Sequence, residues 1–486
     1  MKAVAPFAWW LAVWLALGLA AGAVAHAGGI EFPANGTEAL GRGGAFTAKA
    51  DDPMAVEYNV AGLARQRGTR SVLDLNLVIA QLTFQRTGTY PDNPTDPLTP
   101  WGGRGYPEAR NVEAPFPAPL FALSTDFGKL RRWTFALAAY GPSAAGNRTY
   151  PIGVDHAPGP SRYDFAQTRS LVVYPTVAVA LHALRWLDVG AELQVVVGSF
   201  DFTSVSFVDL GRSTCPNVEY QPCDSTTHLR ALGATATAAF GVMLRPVRWL
   251  DLGLHARLPF TIEADGTVEA SPPRVVESAV ERQPAHFSTG FPAVLRGGAR
   301  LVFHDGVHES GDLEIDATWE GWGRVPETRT HIPKLSAFQN ITSVQLHRWH
   351  DSYSVRAGGA FNLALPAGVL TTRMGLFYDA STSDSAYTRI DVDTLSKIGL
   401  TVGLGYEVRG FAIQLAYAYV FEPSRKVSDG AIRPTNGASQ GSTNAATGEP
   451  LPAVNNGLYE GRAQILSLGL STHWEELVQR ATSARR

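Results

Sequence analysis

The residues that could do chemistry in this chain are few and mostly ill-placed for catalysis. Its 12 histidines are scattered through 486 residues without ligand spacing. Only His304 and His308 lie four apart, and Gly306 between them makes that stretch a turn rather than one helical face, a poor start for a metal site. There is no GxSxG, HExxH, Walker loop or CxxC motif. No nucleophile therefore has an evident base beside it, and the reading is a non-enzyme without cofactor or metal. Cys215 and Cys223 sit close together in a polar segment. In an exported chain that spacing predicts one local disulfide closing a short loop, the alternative being two free thiols. What remains is charge in small-residue surroundings: Gly41-Arg42-Gly43, then Asp51-Asp52-Pro53, then Asn59. A charge buried without a partner costs several kcal/mol, roughly. These groups therefore call for partners of opposite sign elsewhere in the chain.

The elements that position them begin with an export signal. Lys2 precedes an apolar run from Phe7 to Val24, and Ala25-His26-Ala27 offers a small-x-small cleavage site. That predicts a signal peptide over residues 1–27 and a mature chain from Gly28; the alternative is an N-terminal membrane anchor. No later run approaches the ~20 apolar residues of a spanning helix. With 41 Lys+Arg against 44 Asp+Glu, nothing points to nucleic acid.

The remaining chain alternates. In Leu250 to Leu258, the Leu250, Leu252, Leu254, Ala256 and Leu258 face opposes Asp251, Gly253, His255 and Arg257. Leu187 to Val197, Asp312 to Glu320 and Phe411 to Phe421 behave alike. Side chains along a strand point to opposite faces in turn, so these rows suit lipid on one side and a polar lumen on the other. Aromatics such as Trp186, Trp249, Trp319 and Trp474 stand at segment ends, as in barrel girdles. Connections alternate short and long. The expectation is an all-β fold, a transmembrane antiparallel β-barrel of about fourteen strands over residues 67–474, with twelve or sixteen also possible. Residues 28–66 lack alternation and would form a plug inside it; 475–486 would be a polar extension. Arg185-Trp186-Leu187-Asp188 recurs as Arg248-Trp249-Leu250-Asp251, which reads as one hairpin solution used twice. His255 and Arg257 point to the lumen, as ligand contacts or as plug-holding charges.

The order Gly41-Arg42-Gly43-Gly44, Ala50-Asp51-Asp52-Pro53, Asn59-Val60-Ala61-Gly62 resembles the plug of the FadL-like family of outer-membrane transporters. The chain departs at Val60, where proline is usual. Thr318-Trp319-Glu320-Gly321-Trp322, Arg356-Ala357-Gly358-Gly359, Arg373-Met374-Gly375 and Gly403-Leu404-Gly405-Tyr406 resemble the later part of that family. The resemblance spans most of the mature chain, weakly in its middle third. It implies a hatch inside a fourteen-stranded barrel that passes long-chain fatty acids or hydrocarbons by passive diffusion. It places the mature N-terminus beside the inner ligand site, where Ile30 and Phe32 are the matching bulky residues. It also implies sideways release through a strand kink. Gly141-Pro142 is the candidate here, or simply the end of its strand. Tyr90, Trp101, Tyr106, Phe116, Tyr150 and Tyr163 would either present a first apolar surface or pack the outer loops. The expected partners are outer-membrane lipid, lipopolysaccharide and a hydrophobic small molecule, with the protein a monomer. A general porin and a surface adhesin or receptor are the alternatives.

Overall fold

The computed structural model describes residues 34–141, 147–335, 338–392, 394–435, 442–444 and 447–477. The signal peptide, Ile30, Phe32, Pro142 and most of the C-terminal extension lie outside the described residues.

Fourteen antiparallel strands close on themselves. They are β1 (Thr69–Arg86), β2 (Phe116–Thr125), β3 (Trp133–Tyr140), β4 (Leu171–Leu184), β5 (Leu187–Phe207), β6 (Asp224–Val247), β7 (Leu250–Arg257 and Phe260–Ser271), β8 (Glu281–Phe291 and Val294–Asp305), β9 (His308–Glu320), β10 (Ser352–Leu365), β11 (Gly368–Asp379), β12 (Lys397–Val408), β13 (Phe411–Val427) and β14 (Gly457–His473). Each pairs with its neighbour in sequence, and β14 pairs with β1 from Arg70↔His473 to Arg86↔Gly457. Closure leaves no edge strand, which is what a sheet in lipid requires.

The alternation read from sequence is the inside–outside alternation of the wall. On β13, Ile413, Leu415, Tyr419 and Phe421 are exposed while Ala412, Ala416, Ala418 and Val420 are buried. Trp186 and Trp249 are half-exposed beside their short turns, as interfacial indoles should be.

Three features differ from the expectation. β7 and β8 are each broken, at Leu258-Pro259 and Pro292-Ala293. The register is the same on both sides, Arg257↔Val294 and Phe260↔Phe291, so Pro259 and Pro292 stand opposite one another. Neither has an N–H to give, and the ladder loses that rung. A second difference is a hairpin arm, Glu327–Leu335 paired with Phe338–Leu346, between β9 and β10. Its polar, proline-interrupted sequence gave no alternation to read. The third is in the N-terminal segment: Asp51-Asp52-Pro53, which reads as a helix start with Asp as cap and Pro in the first turn, precedes a helix that begins only at Ala55 and runs to Tyr58, and the Asp52 carboxylate accepts from the Met54 N–H.

Residues 34–66 are almost entirely buried and touch strands around the whole ring. They form a helical turn, α1 (Thr37–Gly41), the helix α2 (Ala55–Tyr58) and a 3-10 turn, Val60–Arg65. Thr37 donates to Asp74 on β1 and shares a hydrogen bond with Ser467 on β14. Val60 and Ala61 lie against Gly190 on β5 and Gly241 on β6.

Candidate functional site

The site is built where the N-terminal segment meets the wall. Gly43 has φ +68°, a left-handed conformation that glycine adopts without a Cβ penalty. The turn it makes presses the Arg42 backbone onto β10 and β11. A Cβ on Gly358 would lie 2.0 Å from the Arg42 carbonyl oxygen, and one on Gly375 2.1 Å from its carbonyl carbon. Gly41 meets Gly403 on β12 in the same way, within 3.1 Å. The wall is therefore hollowed by glycines wherever the motif backbone docks.

The Arg42 side chain is fully buried and pairs with Asp312 at 2.6 Å and Glu314 at 3.1 Å, both on β9, while its Nε donates to the Ala45 carbonyl. Asp316, two residues on, accepts from the N–H groups of Phe46 and Thr47, and Glu314 from that of Ala48. One acidic row on β9 thus receives both a guanidinium and the backbone donors of a turn. From Asp312 the pairing continues through Arg300 to Asp251, then Arg245, Asp188 and Arg65. Alternating charge links plug and wall strands β5 to β9 in one chain.

The other motif residues hold the segment to itself. Asp51 pairs with Lys49 at 2.6 Å. Asn59 caps the turn that follows, accepting from Ala61 and donating to Thr47 and to Val242 on β6. Among the other inward charges of the wall, Asp188 pairs with Arg65 rather than Arg42, Asp316 takes backbone N–H groups rather than a charge, and Arg356 donates to the Gly43 carbonyl while pairing with Asp379. Arg257 instead lines a small inner chamber with Asn35, Glu57, Gln194, His255 and Arg296, large enough for about one water, and Glu192 accepts from Gln194. There the Arg257 guanidinium lies over the rings of Tyr174 and Phe260. The alternating charge of β9 was legible in sequence; which plug residue it received was not.

Gly141, at the end of β3, accepts a hydrogen bond from Asn35 at 2.9 Å through its carbonyl. Asn35 also donates to Glu57. The first described residues of the chain are therefore tied to the strand end that carries Gly141.

Between the strands and the outer-loop residues Tyr163, Arg389 and Ile432 lies a cavity of about 710 Å³. Its apolar wall comes from Phe200 and Phe202 on β5, Phe287 and Phe291 on β8, and Ile332 and Ile341 on the hairpin arm. Phe287 packs 4.7 Å from Phe200 and 5.2 Å from Phe202 between ring centroids. Phe291 in turn stacks on Phe260 at 4.9 Å, and Phe260 meets edge-on the ring of Tyr174, which lines the inner chamber, so this aromatic row stands between the two spaces. A tier of Trp322, Trp349 and His347 closes one side, the imidazole stacking on Trp349 at 3.7 Å.

Sequence reasoning missed this phenylalanine cluster. The loop aromatics it offered instead are mostly packed away: Tyr90, Trp101, Tyr106 and Tyr150 are buried in the outer loops, and only Tyr163 of that set reaches the cavity. The usable signal was Phe200-Asp201-Phe202, and Phe287 and Phe291 four apart, on strands that run past the membrane. A disulfide joins Cys215 to Cys223 in the β5–β6 loop, just behind the cavity wall, where the Val208 N–H donates to the Cys223 carbonyl.

A family of outer-membrane transport proteins, described as OMPP1/FadL/TodX, matches residues 18–472. The chain belongs to this family. Solved structures agree on the fold. A FadL homologue from Pseudomonas aeruginosa is 15% identical over 92% of this chain and 100% of its own, with a TM-score of 0.72. The toluene transporter TodX of P. putida is 15% identical over 90% of this chain and 98% of its own, TM-score 0.62. The toluene transporter TbuX of Ralstonia pickettii gives 15%, 90%, 98% and 0.61. No curated protein sequence matches the chain significantly. Within the OMPP1/FadL/TodX family the motif Gly41-Arg42-Gly43 and the glycines Gly358, Gly375 and Gly403 gain a common physical reason. They are the two sides of one backbone-to-backbone contact.

Proposed function

We propose that the protein passes small hydrophobic compounds, long-chain fatty acids or hydrocarbons, across the outer membrane by passive diffusion, with residues 28–66 as the gate. The observation that carries this is the cavity of about 710 Å³ with its phenylalanine wall, in the same barrel that buries residues 34–66. A cavity of this size and lining takes a drug-sized apolar ligand. The structurally similar proteins include the toluene transporter TodX and the monoaromatic hydrocarbon channel CymD, which fits such a lining.

In this reading the ligand leaves water among Phe200, Phe202 and Phe287, then meets the row of Tyr174, Phe260 and Phe291. Passage beyond needs the row and the plug to part. The Asn35–Gly141 hydrogen bond links the two, so ligand arriving beside Ile30 and Phe32 would release the end of β3. Exit is then sideways at Gly141-Pro142, into the membrane, from a monomeric barrel set among lipid and lipopolysaccharide after signal-peptide removal.

The test is uptake by proteoliposomes of labelled oleate, toluene and a small sugar, with wild type and Phe32→Ser. Saturable uptake of an apolar compound, reduced in the variant, supports the reading. Sugar flux at porin-like rates with neither apolar compound bound overturns it in favour of a porin. Unchanged uptake in Phe32→Ser removes the N-terminus from the inner site.

A further inference from the structure

Three consecutive hairpins on the short-turn side repeat one dipeptide. Arg132-Trp133 opens β3, Arg185-Trp186 opens β5 and Arg248-Trp249 opens β7. The β8–β9, β10–β11 and β12–β13 turns lack it, so it is not a general requirement of a tight turn. The three indoles are 44%, 50% and 55% exposed. Apolar neighbours Phe127, Leu184 and Val247 are exposed beside them.

Charge on this rim is lopsided. Around the half running from β1 to β7, Arg67, Lys129, Arg131, Arg132, Arg185 and Arg248 are exposed. The carboxylates of the same half are turned inward: Asp126 is buried and bonded to the N–H groups of Gly68 and Gly128, and Asp188 and Asp251 are buried in ion pairs. Among the described residues no carboxylate forms an ion pair with Lys129, Arg131, Arg132 or Arg185. On the opposite half the exposed charges are Asp305, Glu407 and Glu476, with Arg409; Glu475 stands at the β14–β1 seam, its carboxylate accepting from the Thr69 N–H.

Uniform solvation of turns would scatter both signs around the ring. A basic arc confined to one half, with an indole beside each arginine at the level where chains meet headgroups, has a narrower meaning. Indole and guanidinium both donate hydrogen bonds, and the apolar neighbours suit acyl chains. Hairpins two strands apart stand roughly 10 Å from one another, close enough for neighbouring lipids to bridge them. An acidic soluble protein would meet the same charge but would leave Phe127 and the indoles facing lipid, unused.

We propose that these three hairpins form a binding arc for the phosphodiester headgroups of anionic phospholipid in the periplasmic leaflet. The arc takes lipid of the phosphatidylglycerol or cardiolipin class in preference to zwitterionic lipid. It is independent of the transported compound; its hairpins reach residues 28–66 through the Arg185 carbonyl, which accepts from Arg65 at 2.8 Å, through Asp188, which pairs with the same Arg65, and through Thr134, which donates to the Gln66 carbonyl.

The test is native mass spectrometry of the purified full-length barrel titrated with cardiolipin, phosphatidylglycerol or phosphatidylethanolamine. Wild type is expected to retain the two anionic lipids at least tenfold better, with retention falling as salt rises. Arg132→Gln/Arg185→Gln/Arg248→Gln should lose that preference, while Arg409→Gln on the other half keeps it. Equal retention of zwitterionic and anionic lipid, or a triple variant indistinguishable from wild type, overturns the proposal. So does displacement of bound cardiolipin by millimolar inorganic phosphate, which would mark a plain anion site. If the triple variant fails to assemble, Arg185→Gln alone must lower retention at least threefold; no change would refute the arc. Substrate uptake does not enter this readout, so its failure and that of the transport reading are separable.

Discussion

Replacing Arg42 with methionine should unseat the plug while leaving the barrel standing. The side chain is fully buried and its guanidinium faces two carboxylates, Asp312 and Glu314, with a further hydrogen bond to Ala45. Asp312 keeps Arg300 at 2.7 Å after the change. Glu314 keeps the backbone donors Ala48 and Lys49 but no guanidinium. Breaking a buried pair by removing one partner costs about 3–5 kcal/mol, because the other charge stays behind. Nothing in the β14–β1 closure or the neighbouring ladders involves Arg42, so that cost falls on docking of residues 34–66. At tenfold per 1.4 kcal/mol, the undocked population should rise on the order of 10²- to several 10³-fold. Planar-bilayer recordings should then show frequent large openings in place of a low baseline, with heat-modifiability on gels unchanged. Adding Glu314→Gln to Arg42→Met removes the orphaned charge and should restore much of the closed baseline. A conductance trace in Arg42→Met identical to wild type would refute the idea that this ion pair seats the plug. Large openings undiminished in the double variant would refute the account of the cost.

A Gly375→Val substitution should reach the same open state by another route, since its Cβ would lie 2.1 Å from the Arg42 carbonyl carbon; limited proteolysis should nick residues 34–66 in the variant and spare the strands. Phe287→Ala should weaken an apolar ligand in the outer cavity about tenfold or more, given roughly 1.5–3 kcal/mol for burying such a side chain, as read by equilibrium binding of toluene or oleate with assembly unaltered. In the β5–β6 loop, burial raises the Glu219 carboxyl, but Arg162 and Arg86 outweigh it and hold the group below its ordinary value of 4.5. Its contribution is therefore present above about pH 4.5 and lost as pH falls through the lowered folded value; protease nicking of the outer loops should rise only in that acid window, and Glu219→Gln should nick readily at neutral pH with the acid step abolished.

Much of the architecture was legible because a barrel in lipid obeys a two-residue rule along every strand. Leu250 to Leu258 and Phe411 to Phe421 showed their lipid faces without any structure, and short turns against long loops set the strand order. The plug motif was legible too, because charge among glycines and alanines has to find partners. Its contacts were not. That Arg42 meets Asp312 and Glu314, 270 and 272 positions away, depends on the curvature that brings β9 round to the N-terminal segment, and no local pattern encodes that. The break at Pro259 and Pro292 was visible as two prolines, but their opposition exists only once β7 and β8 are in register. The ligand cavity lay furthest from reach. Its phenylalanines sit on different strands and on an arm with no alternation, and only closure of the ring sets them around one space. Sequence alone determined what each residue must avoid: lipid for the charged rows, water for the apolar ones, isolation for Arg42. Tertiary structure decided which residues satisfy one another, because closing a fourteen-stranded ring sets long-range neighbours by register and curvature rather than by any pattern along the chain.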